Sequence, residues 1–236
     1  MYSKKLNILI PVYNEGKNIL KLINELIKKL SKNKIFNYQI YILDDGSNDS
    51  TQLVIEKKIS KYKKKLSYIL FQKNYGKDKI LAHSLKLIGS KNDVLMMDGD
   101  GQHTPEDAVK IIKASYKNKN DIICGSRSNR KYQSLISRLF TNIFYKIFNL
   151  ITNKELDSSI GDFNYIKAHA VRNIIYLNDK DPFFKEIIQN NKFKLQKIPI
   201  SIRKPYTEKT TSFFSGFKLG LKNLMKDSYF PLIFGL

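Results

Sequence analysis

The alternation of short apolar runs with helical patterns constrains the fold of this chain more than any other feature of its sequence. Each run is six or seven residues long and is bounded by polar or turn-forming residues, as buried strands are. Between the runs, apolar residues recur at the three- and four-residue spacing of amphipathic helices. This alternation predicts an α/β fold with a mainly parallel sheet that helices flank on both faces. The predicted strands are 6–12, 38–44, 66–72, 92–98 and 121–126, and the predicted helices are 16–31, 50–64, 77–89 and 105–118.

The regular alternation ends after residue 128. No internal repeat, low-complexity tract or linker follows in the sequence, so we expect a single domain over residues 1–236. A long helical pattern with a broad aromatic face comes next, and then a polar stretch with the sequence IGDF at 160–163. The remaining predicted elements are that helical pattern at 134–151, a short helix at 168–177, an apolar segment at 181–189 and a strand near 196–203.

The composition excludes several classes of protein. A hydrophobic fraction of 42% is too high for a disordered chain, and 11 glycines and 6 prolines are too few for a fibrous one. The lone cysteine, Cys124, excludes an internal disulfide framework and a cysteine-rich zinc site. No apolar run approaches the roughly 20 residues of a bilayer-spanning helix.

The chain carries 42 lysines and arginines against 21 acidic residues, a formal net charge of +21. Such a charge favours anionic partners, whether nucleic acid, an acidic membrane surface or a phosphorylated substrate. Lysines spread along the whole chain also fit an ordinary solvated surface, and both interpretations stay open. The five arginines are more informative, because a guanidinium can bind two phosphate oxygens at once.

Polar residues follow four of the predicted strands, at the point where each strand ends. The carboxyl ends of parallel strands share one edge of the sheet, and ligands bind at that edge in open α/β sheets. Asp, Ser and Gly also cap helices and form turns, so one such group alone would carry little weight. Four groups on one edge predict a ligand site, and they are residues 11–15, 44–47, 98–103 and 125–127.

Aspartates from separate strand ends repel one another unless a cation lies between them. We expect Asp45 and Asp100 to converge with Asp98 around one divalent ion that also binds phosphate oxygens. Gln102 adds an amide oxygen, and oxygen donors without clustered His or Cys indicate Mg²⁺ or Mn²⁺. His103 could join as a further ligand, and a position that supports this group or caps the next helix is favoured over that.

Five short motifs stand in order along the first half of the chain: PVYNE, DDGS, NYGKD, DGDGQHTPED and GSR. Together they resemble the inverting glycosyltransferases of family 2, and within that family the polyprenyl-phosphate sugar transferases of the dolichol-phosphate mannosyltransferase type. The resemblance is close over residues 6–128, moderate over 129–166 and weak beyond. It implies a GT-A fold, a nucleotide diphosphate sugar as donor, a divalent metal and inversion at the anomeric centre.

The resemblance also implies a division of the domain and a role for each matched residue. The parts are a nucleotide-sugar-binding half at 1–128, an acceptor-side half at 129–212 and an amphipathic C-terminal segment at 213–236. The residues implied near the nucleoside are Pro11, Tyr13, Glu15 and one of Asp44 and Asp45, and those of the loop beside the nucleotide are Asn74, Gly76 and Lys77.

The metal and phosphate positions of the family are matched as well. Asp98, Asp100 and Gln102 match its metal motif, and Arg127 matches an arginine near the phosphates. Departure of the nucleoside diphosphate leaves extra negative charge on its phosphates, which a metal and nearby cations stabilise. The resemblance therefore implies catalytic roles for Asp98, Asp100, Asp162 and Arg127.

The nature of the acceptor stays open between two chemistries. A lipid phosphate oxygen is already anionic near neutral pH and needs no strong base. A hydroxyl acceptor needs a carboxylate to take its proton, for which Asp162 is the first candidate and Asp98 the second. The residues expected to hold an acceptor phosphate are Arg127, Ser137, Arg138 and Arg203.

The chain departs from the family pattern on the acceptor side. Gln133 and Asn164 stand where basic residues are usual, and residues 203–212 only loosely match a late basic stretch of the family. These departures weaken any statement about the acceptor and leave the donor side intact.

Three functions are weighed on these grounds. The first is sugar transfer to a polyprenyl phosphate, and the second is transfer to a glycan or another hydroxyl in cell-surface polysaccharide synthesis. The third, a basic nucleic-acid-binding protein, is disfavoured because the arginines are not clustered and the acidic edge repels phosphate without a metal.

Two apolar segments suggest contact with a membrane. The apolar faces of 134–151 and 229–236 are suited to an interface next to a basic surface, although the first fits packing on the sheet equally well. We expect a peripheral enzyme at the cytoplasmic face of a membrane, and whether a membrane protein is a further partner stays open.

Overall fold

The computed structural model describes residues 5–16, 18–62, 64–117, 119–127, 143, 145–150, 156–177 and 183–206. Seven strands form one sheet in the order β3-β2-β1-β4-β6-β5-β7. The α/β fold with a mainly parallel sheet is confirmed. The strands are β1 Leu6–Val12, β2 Tyr38–Asp44, β3 Leu66–Leu70, β4 Asp93–Met96, β5 Ile122–Arg127, β6 Ile160–Ile166 and β7 Leu195–Ile200. The helices are α1 Ile19–Lys32, α2 Thr51–Tyr62, α3 Lys77–Ile88, α4 Pro105–Lys117, α5 Ala168–Tyr176 and α6 Phe184–Asn190.

The central strands are parallel and end together. In the register of the sheet, Val12 of β1 lies opposite Asp44 of β2, and Leu9 of β1 lies opposite Met96 of β4. The loops that follow β1, β2 and β4 therefore leave the sheet at the same edge. This edge is the one at which the sequence predicts a ligand site.

Strand β6 is the one described strand that runs against the others, and the sequence patterns did not predict it. It is antiparallel to both β4 and β5, with Asn164 opposite Met96 and Ile160 opposite Ser126. The segment was expected to be a polar stretch, because its Gly, Asp and Asn are depleted in strands. Its reversed direction has a consequence for the ligand edge: the beginning of β6, with Asp162, lies where β4 and β5 end.

Helices cover the two faces of the sheet in separate apolar layers. On one face, Ile8 and Ile10 of β1 pack with α1 and α4, whose apolar residues include Leu22 and Ile111. On the other face, Leu9 packs with α3 and α5. Alternate residues of β1 thus enter different layers, and the strand is buried on both sides, as its nearly continuous apolar sequence predicts.

A short helical segment at 145–150 lies beside α6. Phe148 is fully buried, with its ring centroid 6.3 Å from that of Phe183. Of the predicted helical pattern 134–151, only residues 143 and 145–150 are described, so Ser137 and Arg138 lie outside the described residues. The segment 213–236 also lies outside them. Among the residues described, none of the helices combines the length and the apolar character needed to cross a bilayer.

Candidate active site

The loops after β1 and β2 are tied to each other by hydrogen bonds. The Asn14 amide donates to Ser47 Oγ at 2.9 Å, and the Asn48 amide donates to Asn14 Oδ1 at 2.9 Å. The Gly16 amide donates to Asp49 Oδ2 at 3.2 Å. Asn14 adopts a left-handed backbone conformation, with φ of 57°, which Asn tolerates better than most residues. The two loops form one joined rim that places Tyr13 and Glu15 at the edge of the sheet.

Asp44 supports this rim from below. Its carboxylate is completely buried and accepts hydrogen bonds from the Ser47 amide at 2.8 Å and the Tyr68 hydroxyl at 2.6 Å. Burial, followed by the bond to Asp44, raises the pKa of Tyr68 above its usual range. Each oxygen of Asp44 has a partner inside the protein, so the structure gives this residue a supporting position.

Asp45 holds the loop that leads into α3. Its two oxygens accept the amides of Tyr75 at 2.7 Å and Gly76 at 2.9 Å. Burial raises the pKa of Asp45, although the two amide bonds oppose that shift. The carboxylate therefore fixes the start of α3, where Lys77 is the first residue.

The structure places Asp45 and Asp100 on two loops that are not neighbours along the ligand edge, and their convergence on one cation stays a prediction. The end of β1 separates the loops that follow β2 and β4, which are two strand spacings or about 10 Å apart. Val12 also fills the space beside Gly99, where an added Cβ would lie 2.6 Å from its Cγ1. Asp98 shares the ammonium of Lys77 with Asp162 on the antiparallel strand β6.

Lys77 links these two carboxylates. Its Nζ lies 3.2 Å from Asp98 Oδ1 and donates a hydrogen bond to Asp162 Oδ2. The three side chains are 37%, 21% and 33% exposed, in the order Lys77, Asp98 and Asp162, so they reach solvent at the ligand edge of the sheet, a place that we call the cleft. We call this group the ion triplet.

The charges of the ion triplet stabilise one another. Burial lowers the pKa of Lys77, but Asp162 and Asp98 raise it above its usual range. Burial raises the pKa of each aspartate, but Lys77 and its neighbours hold both values below the usual range. All three groups are therefore charged near neutral pH.

Arg127 adds a second positive charge to the cleft. Its guanidinium lies across Gly161, where an added Cβ would be 3.1 Å from Nε. The Arg127 charge contributes to the lowered pKa of both Asp98 and Asp162. Its Nε is buried and has no hydrogen-bond partner among the described residues, which leaves a donor for a ligand oxygen.

His103 supports the ion triplet from behind. It is 1% exposed, and its ring stacks on Phe163 with centroids 4.6 Å apart. The Asp98 amide donates to His103 Nδ1 at 3.1 Å, so this nitrogen is unprotonated. Burial lowers the pKa of His103, against the opposing charge of Asp98, which agrees with a neutral ring. This geometry fits the supporting position expected for His103.

The loop that carries Asp100 and Gln102 is closed on itself and held from outside. Asp100 Oδ1 accepts the Gln102 amide at 2.9 Å. Arg203 donates its backbone amide to the Gln102 carbonyl at 3.2 Å and its Nε to the Gly101 carbonyl at 2.5 Å. The guanidinium of Arg203 also pairs with Glu25 at 2.9 Å. Arg203, expected to bind an acceptor phosphate, is thus engaged in holding the loop.

The donor set at this loop fits a cation that shares its coordination with phosphates. No group of three or more His, Cys, Asp or Glu side chains suited to a metal occurs within the described ranges. Burial raises the pKa of Glu15, and the charges of Asp100 and Asp98 raise it further, so negative charge accumulates around this loop. One or two carboxylates, with phosphate oxygens and water completing the shell, are the usual Mg²⁺ arrangement.

Two residues of the cleft were missed by the sequence analysis. Lys185 contributes to the lowered pKa of Asp162, and its Nζ donates to the Tyr145 hydroxyl at 2.6 Å. Burial and the nearby Asp162 raise the pKa of Asp78 to about 7. Asp78 directly follows Lys77 in the NYGKD motif, so its place in that motif could have identified it as a site residue. Lys185 belongs to no motif, and only the fold brings it near Asp162.

The chain is similar to several known proteins. The family model described as "Glycosyl transferase family 2" matches residues 7–175. The protein CsbB of Bacillus subtilis, named as a glycosyltransferase, is 31% identical over 96% of this chain and 68% of its own length. The undecaprenyl-phosphate 4-deoxy-4-formamido-L-arabinose transferase of Photorhabdus laumondii is 25% identical over 95% of this chain and 66% of its own. The bactoprenol glucosyl transferase of Shigella phage SfV is 25% identical over 78% of this chain and 59% of its own length. This chain therefore spans about three-fifths to two-thirds of the length of these relatives.

Two solved structures share the fold at low sequence identity. The mannosyltransferase PcManGT of Pyrobaculum calidifontis, in complex with GDP-Man and Mn²⁺, has a TM-score of 0.63 at 12% identity. That match covers 99% of this chain and 65% of the other. Glucosyl-3-phosphoglycerate synthase of Mycobacterium tuberculosis has a TM-score of 0.57 at 11% identity, over 94% and 76% of the two chains.

The first prediction concerns Gly46, which packs against the loop held by Asp45. Gly46 has a φ of +70°, and an added Cβ would lie 2.6 Å from the Lys73 carbonyl carbon. Gly46→Ala is expected to lower the free energy of unfolding by about 3 kcal/mol, from backbone strain and the clash together. Gly89 has a similar φ of +77° with open space around it, so Gly89→Ala isolates the strain at about 1 kcal/mol. Urea denaturation measures both, and equal losses would contradict the packing of Gly46.

The second prediction concerns the ion triplet and pH. Lys77→Met leaves Asp98 and Asp162 without their cation, so it destabilises the protein most at pH 7.5, where both carboxylates are ionised in the wild type. In Lys77→Met, burial and the mutual repulsion of Asp98 and Asp162 raise their pKa values, so both carboxylates take up protons as the pH falls and the repulsion is relieved. The wild-type pair stays ionised over the same range, because Lys77 and its neighbours hold both pKa values below the ordinary one. The destabilisation by Lys77→Met is therefore expected to shrink as the pH falls from 7.5 towards 4. Urea denaturation across this range tests it, with exposed Lys28→Met on α1 as the control that changes little at any pH.

If the destabilisation by Lys77→Met stays constant or grows as the pH falls, Lys77 does not stabilise the two carboxylates as the ion triplet requires.

Proposed function

Because this chain belongs to glycosyltransferase family 2, we propose that it transfers a sugar from a nucleoside diphosphate to a polyprenyl phosphate, with inversion and with a divalent metal. The names of two relatives support this acceptor, since one is an undecaprenyl-phosphate transferase and another a bactoprenol glucosyl transferase. Because the members of this family are enzymes, family membership favours a glycosyltransferase over the nucleic-acid-binding alternative.

The lowered pKa of Asp162 is the observation that carries the choice of acceptor. A general base works best when its pKa lies near the working pH. Lys77, Lys185 and Arg127 hold the pKa of Asp162 well below its usual range against the effect of burial. Asp162 is therefore ionised but weakly basic, which suits it to orienting cations. A phosphate acceptor needs no base, and the same cations suit its oxygens.

The donor phosphates would lie over the loop that follows β4. Asp98, Asp100 and Gln102 would hold the divalent cation, which when bound supplies Lewis-acid stabilisation of the departing diphosphate. Arg127 has its buried Nε–H to donate to a phosphate oxygen in this cleft. Lys77 supplies a fixed positive charge, oriented by Asp98 and Asp162 before substrate arrives.

The transfer itself exchanges one bond for another at the anomeric carbon. An oxygen of the acceptor phosphate attacks C1 from the face opposite the leaving group, and the bond from C1 to the diphosphate oxygen breaks. The electron pair of the broken bond stays on the nucleoside diphosphate. No proton has to move, and the configuration at C1 inverts.

A hydroxyl acceptor is the second candidate, and Asp78 is the observation that favours it. Its pKa of about 7 is suited to general base catalysis near neutral pH. Asp78 lies close enough to Asp162 and Asp98 for their charges to raise that value further. In this alternative, Asp78 takes the place of Asp162 and Asp98 as the carboxylate that accepts the hydroxyl proton.

A peripheral position on the cytoplasmic face of a membrane is part of the proposal. Ile143, Ile147 and Leu150 are exposed by 44%, 45% and 84% and follow one another at helical spacing. With the net charge of +21, they suit an acidic membrane surface that contains the lipid acceptor. The proposal also includes a membrane protein as a further partner at this surface.

The third prediction tests the acceptor. Purified protein with Mn²⁺ is given radiolabelled GDP-mannose, UDP-glucose or UDP-N-acetylglucosamine, with and without undecaprenyl phosphate in detergent. Label is expected in the lipid product for at least one donor and only when the lipid phosphate is present. The product should have the anomeric configuration opposite to that of the donor.

Asp78→Asn separates the two acceptors in the same assay. It should leave the pH dependence of kcat near neutrality unchanged if the acceptor is a phosphate. Transfer to a hydroxyl acceptor in place of the lipid, with a neutral pKa in the kcat profile that Asp78→Asn abolishes, would contradict the proposal.

The fourth prediction tests the metal. Chelation by EDTA should abolish transfer and added Mn²⁺ should restore it. Asp100→Asn should lower kcat/KM by about 100-fold, because it removes a charged ligand of the cation. Glu56→Gln, an exposed change on α2, is the matched control and should retain full activity. Full activity of Asp100→Asn at limiting Mn²⁺ would show that this loop does not hold the metal.

A further inference from the structure

One face of α1 is tied to the chain segment that crosses the Asp100 loop. Glu25 lies on this face and belongs to none of the five motifs. A single oxygen of its carboxylate, Oε2, accepts the Arg203 guanidinium at 2.9 Å and the Tyr206 hydroxyl at 2.8 Å. Arg203 also lies over the Tyr206 ring, 4.5 Å from its centroid. Glu25 thus gathers two side chains of the segment 201–206, which we call the strap.

The strap contacts the Asp100 loop through its backbone and its side chains. The Tyr206 amide donates to the Asp100 carbonyl at 3.2 Å, and the Arg203 amide donates to the Gln102 carbonyl at 3.2 Å. Arg203 Nε reaches the Gly101 carbonyl at 2.5 Å. Three consecutive carbonyls of the loop are therefore bound by two residues of the strap.

Gly101 lets the strap approach this closely. Its φ is +77°, and an added Cβ would overlap the Tyr206 ring. The Lys21 ammonium, one turn before Glu25 on α1, lies 4.4 Å from the centroid of the same ring. The ring is therefore held between α1 and the loop, and burial followed by the bond to Glu25 raises the pKa of Tyr206.

The strap is also anchored at its beginning, independently of Glu25. The Ser201 amide donates to Asp107 Oδ2 at 3.1 Å, and Lys110 Nζ donates to the Pro199 carbonyl at 2.6 Å. Removal of Glu25 would therefore release the side chains of Arg203 and Tyr206 from α1 without releasing the strand that precedes them. This separation makes a specific effect on the loop measurable.

We propose that Glu25 is a positioning residue for the divalent-cation site: through Arg203 and Tyr206 it holds residues 100–102 in the conformation that presents the Asp100 carboxylate to the metal. The inference rests on the proposed function in so far as that function places a cation at Asp100. Neither Glu25 nor Tyr206 touches the cation or the substrate; both act through the loop.

The effect should be on metal binding more than on chemistry. Groups that orient metal ligands typically change metal affinity by 10- to 100-fold when they are removed. Glu25→Ala is expected to raise the apparent dissociation constant for Mn²⁺ about tenfold, with kcat at saturating Mn²⁺ nearly unchanged. Mn²⁺ binding is measured by electron paramagnetic resonance with inorganic pyrophosphate present, and activity is measured separately.

Lys29→Ala is the matched control. Lys29 follows Glu25 by one turn of α1 and forms an exposed ion pair with Glu106 at 2.5 Å, without contact to the strap. Its removal costs α1 an ion pair of the same kind and should leave Mn²⁺ affinity at the wild-type value. Circular dichroism and urea denaturation verify that both variants fold.

Hydrogen exchange provides a readout that needs neither metal nor substrate. The amides of Arg203 and Tyr206 bond to the loop, so a peptide covering 201–206 should exchange faster in Glu25→Ala than in the wild type or in Lys29→Ala. Tyr206→Phe should reproduce part of the loss of Mn²⁺ affinity. The double variant with Glu25→Ala should lose less than the sum of the two single effects, because both changes break the same contact.

The outcomes distinguish this inference from the function on which it rests. Wild-type affinity for Mn²⁺ in Glu25→Ala, or strictly additive effects of Glu25→Ala and Tyr206→Phe, would overturn the role of Glu25 alone. A wild-type protein that binds no Mn²⁺ would overturn the metal assignment, and this inference with it.

Discussion

The bridge from Lys77 to Asp98 and Asp162 is the interaction on which the rest of the cleft depends. Asp98 follows the end of β4 and Asp162 lies on the neighbouring antiparallel strand β6, and without a cation between them the two carboxylates would repel at close range. Lys77 reaches both because it is the first residue of α3, and Asp45 fixes the start of that helix through two amides. The loops after β1 and β2 therefore support the start of α3 through Asp45, and the start of α3 in turn positions the charge of Lys77.

The balance of charge explains why one edge of the sheet suits phosphates in spite of its aspartates. Arg127 and Lys185 add to Lys77 around Asp162, and together they outweigh the effect of burial on the pKa of that carboxyl. The acidic groups orient the cations and remain weakly basic. The loop at Asp100 directly follows Asp98 in the chain and is braced by the strap. Asp98 thus links the loop suited to a metal with the fixed positive charge of Lys77.

Much of the fold follows from apolar periodicity alone, because β1, β2 and α1 have strong and uniform patterns. The sequence predicted 6–12 and 38–44 as strands, and both have those bounds in the structure. Strand β6 was not predicted because its first residues are polar and carry no strand pattern. It is a strand because it pairs with β4 and β5 on either side. For the same reason, the motifs identified Asp98, Asp162, Lys77 and Arg127 as site residues but did not predict which of them meet. Arg203 was assigned to a phosphate, since nothing local in the sequence indicates its partner Glu25 on α1.

A direct measurement of the charge on Lys77 tests the central claim. The protein is labelled with ¹⁵N and ¹³C at lysine, and the Lys77 signal is assigned by comparison with Lys77→Arg and followed by NMR as the pH is raised. The ion triplet predicts that this ammonium keeps its proton at a pH where an ordinary lysine, with a pKa of about 10.4, is already half deprotonated. A Lys77 signal that titrates at or below the ordinary value would show that the two carboxylates do not hold it.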